Sequence, residues 1–375
     1  MGARRLMMNY VERERLILAP YALASAASAG RTHPEPAHPW RSPFQRDRDR
    51  IIHSAAYRRL AHKTQVFTGD LGDYHRTRLT HTLEVASVAR TLARALALNE
   101  DLVEALALAH DVGHPPFGHA GEELLNERLR HVGGFNHNAQ ALRIFTRLEE
   151  RYPEFPGLNL SHEVLAGQRR RAEKGAAAEQ PPLEVQVVDA ADSVAYDAHD
   201  ADDALVLGMI TPAELSQTEK WRRATARVAQ RYTNLSADAH RRCVIHELLD
   251  WQASDLHAAT TARIAEQGIK SLTDVQQAPL LAAPSREMAE LKREFQALLF
   301  RQVYRHPRVL THRTEAIAAL DELYQRHLLA ADDLPLPYRE IAQEAGPERA
   351  VADYLSSFTD RAVLAPWRRA QRESG

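Results

Sequence analysis

The chain has almost no cysteine, no long apolar run and no excess of charge of either sign, and each lack narrows its chemistry. Cys243 is the lone cysteine in 375 residues, which excludes a disulfide framework within the chain and fits a reducing compartment. No apolar run reaches the length of a membrane span. Residues 17–30 faintly resemble the apolar stretch and small-residue site of a signal peptide, but Glu12, Arg13, Glu14 and Arg15 stand directly before them. The expectation is a cytoplasmic protein with no membrane partner. A formal net charge of −2 gives no overall pull toward nucleic acid or lipid. The local exception is the arginine-rich stretch Arg41 to Arg59, opposed only by Asp47 and Asp49. Arginine outnumbers lysine everywhere, a compositional bias that leaves single arginines little weight.

Strand-like alternation is nearly absent and no internal repeat is visible, whereas apolar residues, 44% of the chain, recur at helical spacing. The expected fold is all-α, a helical bundle with additional C-terminal helices. Helices are expected at about 46–61, 79–98, 101–110, 119–130, 136–150 and 183–207. Residues 1–45, Pro-rich from 31 to 43, read as an N-terminal lead-in, 46–210 as the core, and 211–375 as helices continuous with it, an interface or a lid. Breaks in that last region fall near Pro212, Pro284, Pro307 and Leu334 to Pro337. The polar stretch Gly167 to Pro182 reads as a loop.

The chemistry is concentrated between Ala109 and Glu122. Adjacent His110 and Asp111 offer an imidazole and a carboxylate to one divalent ion, and mixed N/O ligands suit a first-row metal better than Ca²⁺. Two glycines and two prolines then break the helix and return His114, His119 and Glu122 toward the same spot. On the preceding helix His81 shares a face with Val85, Val88 and Leu92, which points it inward. Alone, it reads equally as a core histidine bonded to a backbone carbonyl. Two inward histidines beside Asp111 change that reading, because isolated buried ionisable groups are costly and a shared metal relieves the cost. A fourth ligand is expected from the helix near 183–207. Its Asp189, Asp192, Tyr196, Asp200 and Asp203 share one face, at offsets of 3, 7, 11 and 14. A solvated acidic face is the plain alternative.

The pattern His81, His110-Asp111, Asp192 resembles the HD-domain metal-dependent phosphohydrolases. The flanking text is narrower and resembles the deoxynucleoside triphosphate triphosphohydrolases of the dGTPase-like group. It comprises Ser42 to Arg50, Tyr57 to Phe67, Asp73 to Thr82, the run HPPFGHAGE from His114 to Glu122, Phe135 to Gln140, and Ala191 to Tyr196. Weaker likeness returns at Tyr304 to Pro307 and Val351 to Arg361.

That resemblance implies His81, His110, Asp111 and Asp192 as metal ligands, with Mn²⁺ or Mg²⁺ or another first-row ion as the cofactor. It implies His119 and Glu122 as the catalytic histidine and its acidic partner, with His114 close to the phosphates. Gln65, Arg78, His137, Tyr196 and Asp200 fall on substrate contacts, and Arg59 and Lys63 are candidates for the outer phosphates. The implied reaction splits a dNTP into deoxynucleoside and intact inorganic triphosphate, in a homo-oligomer, with a possible activating nucleotide. There are two departures: Ser193 stands where the family often has a second Asp, which leaves the metal ligand in place, and Gly167 to Pro182 differs from the longer insert of many relatives, which bears on base preference and any effector site. For His119 the plain alternative is a helix N-cap without chemistry, and for Tyr196 a core tyrosine. Two other functions remain open. One is an HD-type enzyme acting on another nucleotide phosphate ester. The other is a nucleotide sensor or single-strand nucleic-acid binder, for which Arg41 to Arg59 lacks interleaved aromatic residues.

Overall fold

The computed structural model describes residues 8–65, 76–173 and 179–374. Val66, Phe67, Asp73, Tyr74 and His75 of the motifs above, and 174–178 of the charged stretch, lie outside the described residues. Within them the architecture is all-α: helices throughout, with only isolated bridges in place of strands. The first nine helices are α1 (Tyr10–Ile17), α2 (Pro43–Ile52), α3 (Ala55–Arg59), α4 (Arg78–Ala95), α5 (Glu100–Ala109), α6 (His119–Arg128), α7 (His137–Arg143), α8 (His162–Ala172) and α9 (Leu183–Val206). The C-terminal half adds α10 (Pro212–Leu215), α11 (Glu219–Arg231), α12 (Ala237–Glu266), α13 (Leu272–Gln277), α14 (Arg286–Leu299), α15 (Pro307–Leu329), α16 (Leu336–Ala345), α17 (Pro347–Ser356) and α18 (Asp360–Ser374). Among the described residues no helix is long and apolar enough to cross a membrane.

Starts follow local chemistry. Ser42, Thr77, Asn99 and Asn136 cap α2, α4, α5 and α7 with side-chain oxygens. Pro212, Pro307 and Pro347 sit in first turns, where a missing N–H costs nothing. Two expectations fail in detail. The helix expected over 46–61 is broken after Ile52, because Ser54 caps a new helix by accepting from Tyr57 N. The stretch from Gly167 is helical to Ala172, since buried Gly167 packs on Leu106 and Val185 and holds α8 in the core despite its polar tail.

The core has three parts. One joins α4, α5 and the first half of α9, through Val85, Leu92, Leu106, Val187 and Val188. A second wraps Ala198, Ala201 and Ala204 of the same α9 with Trp221, Val244 and Phe295. The third packs Phe117 and Leu125 against Leu320, Tyr324, Val351 and Leu355 from α15 and α17. Helix α9 therefore buries apolar sides in two cores while its acidic face meets α4. The N-terminal lead-in is tied in as well: the Leu23 amide donates to the buried Glu184 carboxylate at 2.8 Å, and that of Ser25 to Glu14 at 2.8 Å.

Candidate active site

Three elements converge: the start of α4, the break after α5, and the middle of α9. The Thr77 cap sets Arg78 and His81 on the first turns of α4, facing inward. His81 is 1% exposed, and its Nε2 lies 3.0 Å from Asp192 Oδ1 on α9. His110 ends α5 with its Nδ1 2.6 Å from the Ala107 carbonyl. A carbonyl only accepts, so Nδ1 carries the proton and Nε2 keeps a bare lone pair. That Nε2 is buried and without a hydrogen-bond partner, 3.8 Å from Asp192 Oδ1. The ligand atoms of His81, His110 and Asp192 all lie within 4.8 Å of one another. An orphaned buried imidazole lone pair beside a second imidazole and a carboxylate is the donor set a first-row divalent ion takes.

Asp111 stands at the edge of this trio, Oδ1 3.5 Å from His110 Nε2. It also binds Arg78 Nη1 through Oδ2 at 3.0 Å and His114 Nδ1 through Oδ1 at 3.0 Å. Burial works against its charge, but Arg78, His114 and His110 outweigh it and hold the carboxyl well below the usual range. Arg78 is 1% exposed and its Nε–H has no partner. A fixed, buried guanidinium with an unused donor is suited to a phosphate oxygen.

Gly118 makes this placement possible. Its φ of +55° suits glycine, and a Cβ built there would stand 2.3 Å from Arg78 Nη2. Gly118→Ala is expected to fold with a stability loss of about 1–3 kcal/mol, and to displace Arg78. Thermal denaturation and steady-state kinetics check this: KM for a triphosphate substrate should rise severalfold or more.

Gly118, not His119, occupies the N-cap of α6, so His119 begins the helix with an exposed imidazole. Its ring meets those of His114 and His137 edge-on, at 5.5 and 6.2 Å. Although the ring reaches solvent, crowding by the surrounding protein and the Arg78 cation lower its pKa. Glu122 does not hold His119, contrary to the i, i+3 expectation. Its carboxylate turns to the start of α7, where His137 offers its backbone N–H at 3.0 Å and Nδ1 at 2.9 Å, two donors together. His137 in turn stacks on His114, with centroids 3.8 Å apart. His114, Glu122 and His137 also cluster closely enough for a metal. Stacked imidazoles, however, aim their lone pairs along parallel planes, so the trio is a poor metal cradle: hydrogen bonds join Glu122 to His137, and stacking alone joins His137 to His114.

The acidic face of α9 is not a solvated stripe. Asp189 pairs with Arg171, Asp203 with Arg76, and Asp200, 1% exposed, accepts from the Tyr304 hydroxyl. Tyr196 is half-buried beside Tyr304, with centroids 6.4 Å apart. Burial pushes the Asp200 carboxyl up to about 7. A folded pKa above the unfolded value near 3.8 means the native state holds the proton longer. The stabilisation is full below pH 4 and lost as pH rises through 7. Asp200→Asn is expected to flatten the loss of stability between pH 4 and 8, by at most about 4 kcal/mol. Melting curves across that range test it.

Two expected phosphate contacts are placed otherwise. Lys63 is 2% exposed and donates to the backbone carbonyls of His114 at 2.6 Å and Ser356 at 2.7 Å. Burial pushes its pKa down to about 7. Arg59 lines a small cavity with Lys63, Tyr338, Asp353 and Ser357. Gln65 remains at the site, its carbonyl 3.4 Å from Arg78 Nη2 and its Oε1 buried without a partner. Sequence reasoning gave no role to Tyr304, Ser356 and Asp360, which lie in the stretches of weaker likeness and arrive from the distant C-terminal half. It also missed His199, whose ring meets that of His81 edge-on at 5.9 Å.

A bundle that presents His81, His110-Asp111 and Asp192 in this way defines a phosphohydrolase of the HD class, which is metal-dependent. The HD domain matches residues 78–197, and the phosphohydrolase-associated domain matches 282–369. A deoxyguanosinetriphosphate triphosphohydrolase-like protein of Geobacter sulfurreducens is 43% identical over 368 residues, covering 95% of both chains. Proteins of the same description from Thiobacillus denitrificans and Bordetella pertussis are each 44% identical, covering 94% of this chain and 96% of theirs. The chain belongs to this deoxyguanosinetriphosphate triphosphohydrolase-like family.

Proposed function

We propose that the chain hydrolyses deoxynucleoside triphosphates to deoxynucleoside and inorganic triphosphate, with Mn²⁺ or Mg²⁺ held by His81, His110, Asp111 and Asp192. The observation that carries this reading is the orphaned His110 lone pair facing Asp192, with Arg78 and His119 beside it. An ion bound there would lower the pKa of a water and polarise an α-phosphate oxygen. Arg78, fixed by Asp111, grips the phosphate through its free Nε–H. His114 donates through Nδ1 to Asp111 and keeps a buried Nε2 lone pair free. Burial and Arg78 hold it neutral, so its Nε2 accepts a hydrogen bond rather than a proton. His119, exposed, close by and resting neutral, takes a proton from the attacking water and passes it to the departing 5′-oxygen. Glu122 acts through His137, which stacks on His114.

Tyr196 and the Tyr304–Asp200 pair form a floor under the sugar, leaving Asp200 to accept from a 3′-hydroxyl and Tyr196 to fill the place of a 2′-hydroxyl. A homo-oligomer and an activating nucleotide belong to the same proposal; Leu329 and Leu336, 91% and 60% exposed, support assembly. The nucleic-acid reading finds no support in Arg41, Arg46, Arg48 and Arg50, which are paired with Asp49, Glu35 and Glu104. The test is nucleoside release from each of the four dNTPs and four NTPs, singly and mixed, with Mn²⁺ or Mg²⁺. Release from dNTPs alone supports the reading, and turnover confined to mixtures reveals an activator. Equal turnover of NTPs, or none from any dNTP, contradicts it.

A further inference from the structure

The turn that delivers His119 is built under strain, and across Pro115–Gly118 its one internal hydrogen bond runs from Gly118 N–H to the Pro115 carbonyl, at 3.3 Å. Pro115 and Pro116 carry no amide hydrogen, and Phe117 sits at φ +64°, a conformation that bulky L-residues rarely adopt. The one amide in the middle of this turn, Phe117 N–H, finds its acceptor 243 residues away: Asp360 Oδ1, at 2.9 Å. The other oxygen of the same carboxylate accepts from Thr64 N at 2.9 Å and from the Thr64 hydroxyl. Thr64 is bridged to Thr77, the cap that places Arg78, and precedes Gln65. Asp360 is buried, at 9% exposure, and opens α18, where the helix end favours an anion.

Ser356, one turn earlier in the chain, reinforces the same junction. Its carbonyl accepts from Lys63, whose ammonium also holds the His114 carbonyl, and its hydroxyl accepts from Gln140. The turn is thus tied to the segment 356–360 at two points, the His114 carbonyl through Lys63 and the Phe117 amide directly.

We propose that Asp360 is a positioning residue for the reaction, a carboxylate latch by which the C-terminal helices set the Phe117–Gly118 turn, and with it His119, against the Gln65–Arg78 side of the site. Its two oxygens receive three N–H and O–H donors. Asparagine cannot replace it, because its amide group would turn a donor onto a donor. Ionised acceptors also make the stronger hydrogen bonds, which a strained turn needs. The kinetic side of the proposal rests on the hydrolase reading above; the structural side does not.

The test compares Asp360→Asn and the milder Thr64→Val with Asp255→Asn, which removes the carboxylate bonded to Ser285 N and Oγ in the C-terminal half, away from the turn. Amide exchange comes first. In Asp360→Asn the Phe117 and Thr64 amides should exchange at least tenfold faster than in wild type, and in Asp255→Asn they should not. Kinetics follow, at a temperature where all variants are fully folded. Asp360→Asn should lose tenfold or more in kcat with KM changed less than threefold and metal content unchanged, and Thr64→Val should lose severalfold. Unchanged exchange at Phe117, or a kcat loss no larger than that of Asp255→Asn, overturns the latch. If Asp360→Asn does not fold, Thr64→Val decides by the same two readings. A wild-type chain inactive on dNTPs sinks the substrate assignment, while the exchange arm still judges the latch.

Discussion

His110→Ala is expected to empty the metal site and lower kcat by about a thousandfold or more, with the fold intact. His110 supplies the one proposed ligand whose lone pair is prepared for an ion, its Nδ1 proton being pinned on the Ala107 carbonyl and its Nε2 left bare. The Lewis-acid contribution of such an ion is worth several kcal/mol at the transition state. Each ~1.4 kcal/mol is a factor of ten in rate, so the loss follows from three such steps. The chain should tolerate the change, because alanine leaves no buried unpaired group except the relieved Ala107 carbonyl. Elemental analysis of the purified variant and wild type reads metal content, and steady-state kinetics reads kcat. Full metal content with full activity would remove His110 from the centre.

His119→Ala should separate chemistry from metal binding. His119 touches none of His81, His110 or Asp192 through a hydrogen bond, and its exposed ring faces those of His114 and His137. Losing a general acid or base costs typically ~10²–10⁴-fold in rate. The expected result is that loss in kcat, with metal content and melting temperature near wild type. Glu122→Gln should fall short of it, since Glu122 binds His137 rather than His119 and acts one residue removed. A Glu122 variant as impaired as the His119 variant would show that the orientation of His137, and of the His114 ring stacked on it, is as necessary as His119 itself.

Periodicity made the helices legible because each buries one face in a continuous core: Val85 and Leu92 on α4, Leu102 and Leu106 on α5. The inward placement of His81 and His110 followed from the same periodicity. So did the grouping of Asp192, Tyr196 and Asp200 on one side of α9, and the family's motifs supplied the roles. What stayed hidden depended on partners far apart in sequence. Glu122 and His119 are one turn apart, yet the donors that win the carboxylate belong to α7, and no spacing rule carries that competition. Lys63 reads as a phosphate-facing cation until the C-terminal segment arrives with the Ser356 carbonyl to bury it. Tyr304 and Asp360 lie in stretches where the family likeness returns, but nothing local assigns them a partner, and their place in the site is set by packing across 104 and 243 residues. The charged tail of α8 looked like a loop because its glycine and arginines dominate the composition, while Val164, Leu165 and Gln168, buried beside Gly167, decide the packing.

The most direct test of the central claim is phosphorus NMR of the four dNTPs together, incubated with the purified chain and Mn²⁺. Inorganic triphosphate appearing in step with free deoxynucleoside, with no orthophosphate or pyrophosphate, is the predicted result: it requires cleavage of the ester link between nucleoside and α-phosphate, beside Arg78 and His119, with both phosphoanhydride bonds intact. Orthophosphate or pyrophosphate as the first product would place the cut at another bond and contradict the assignment.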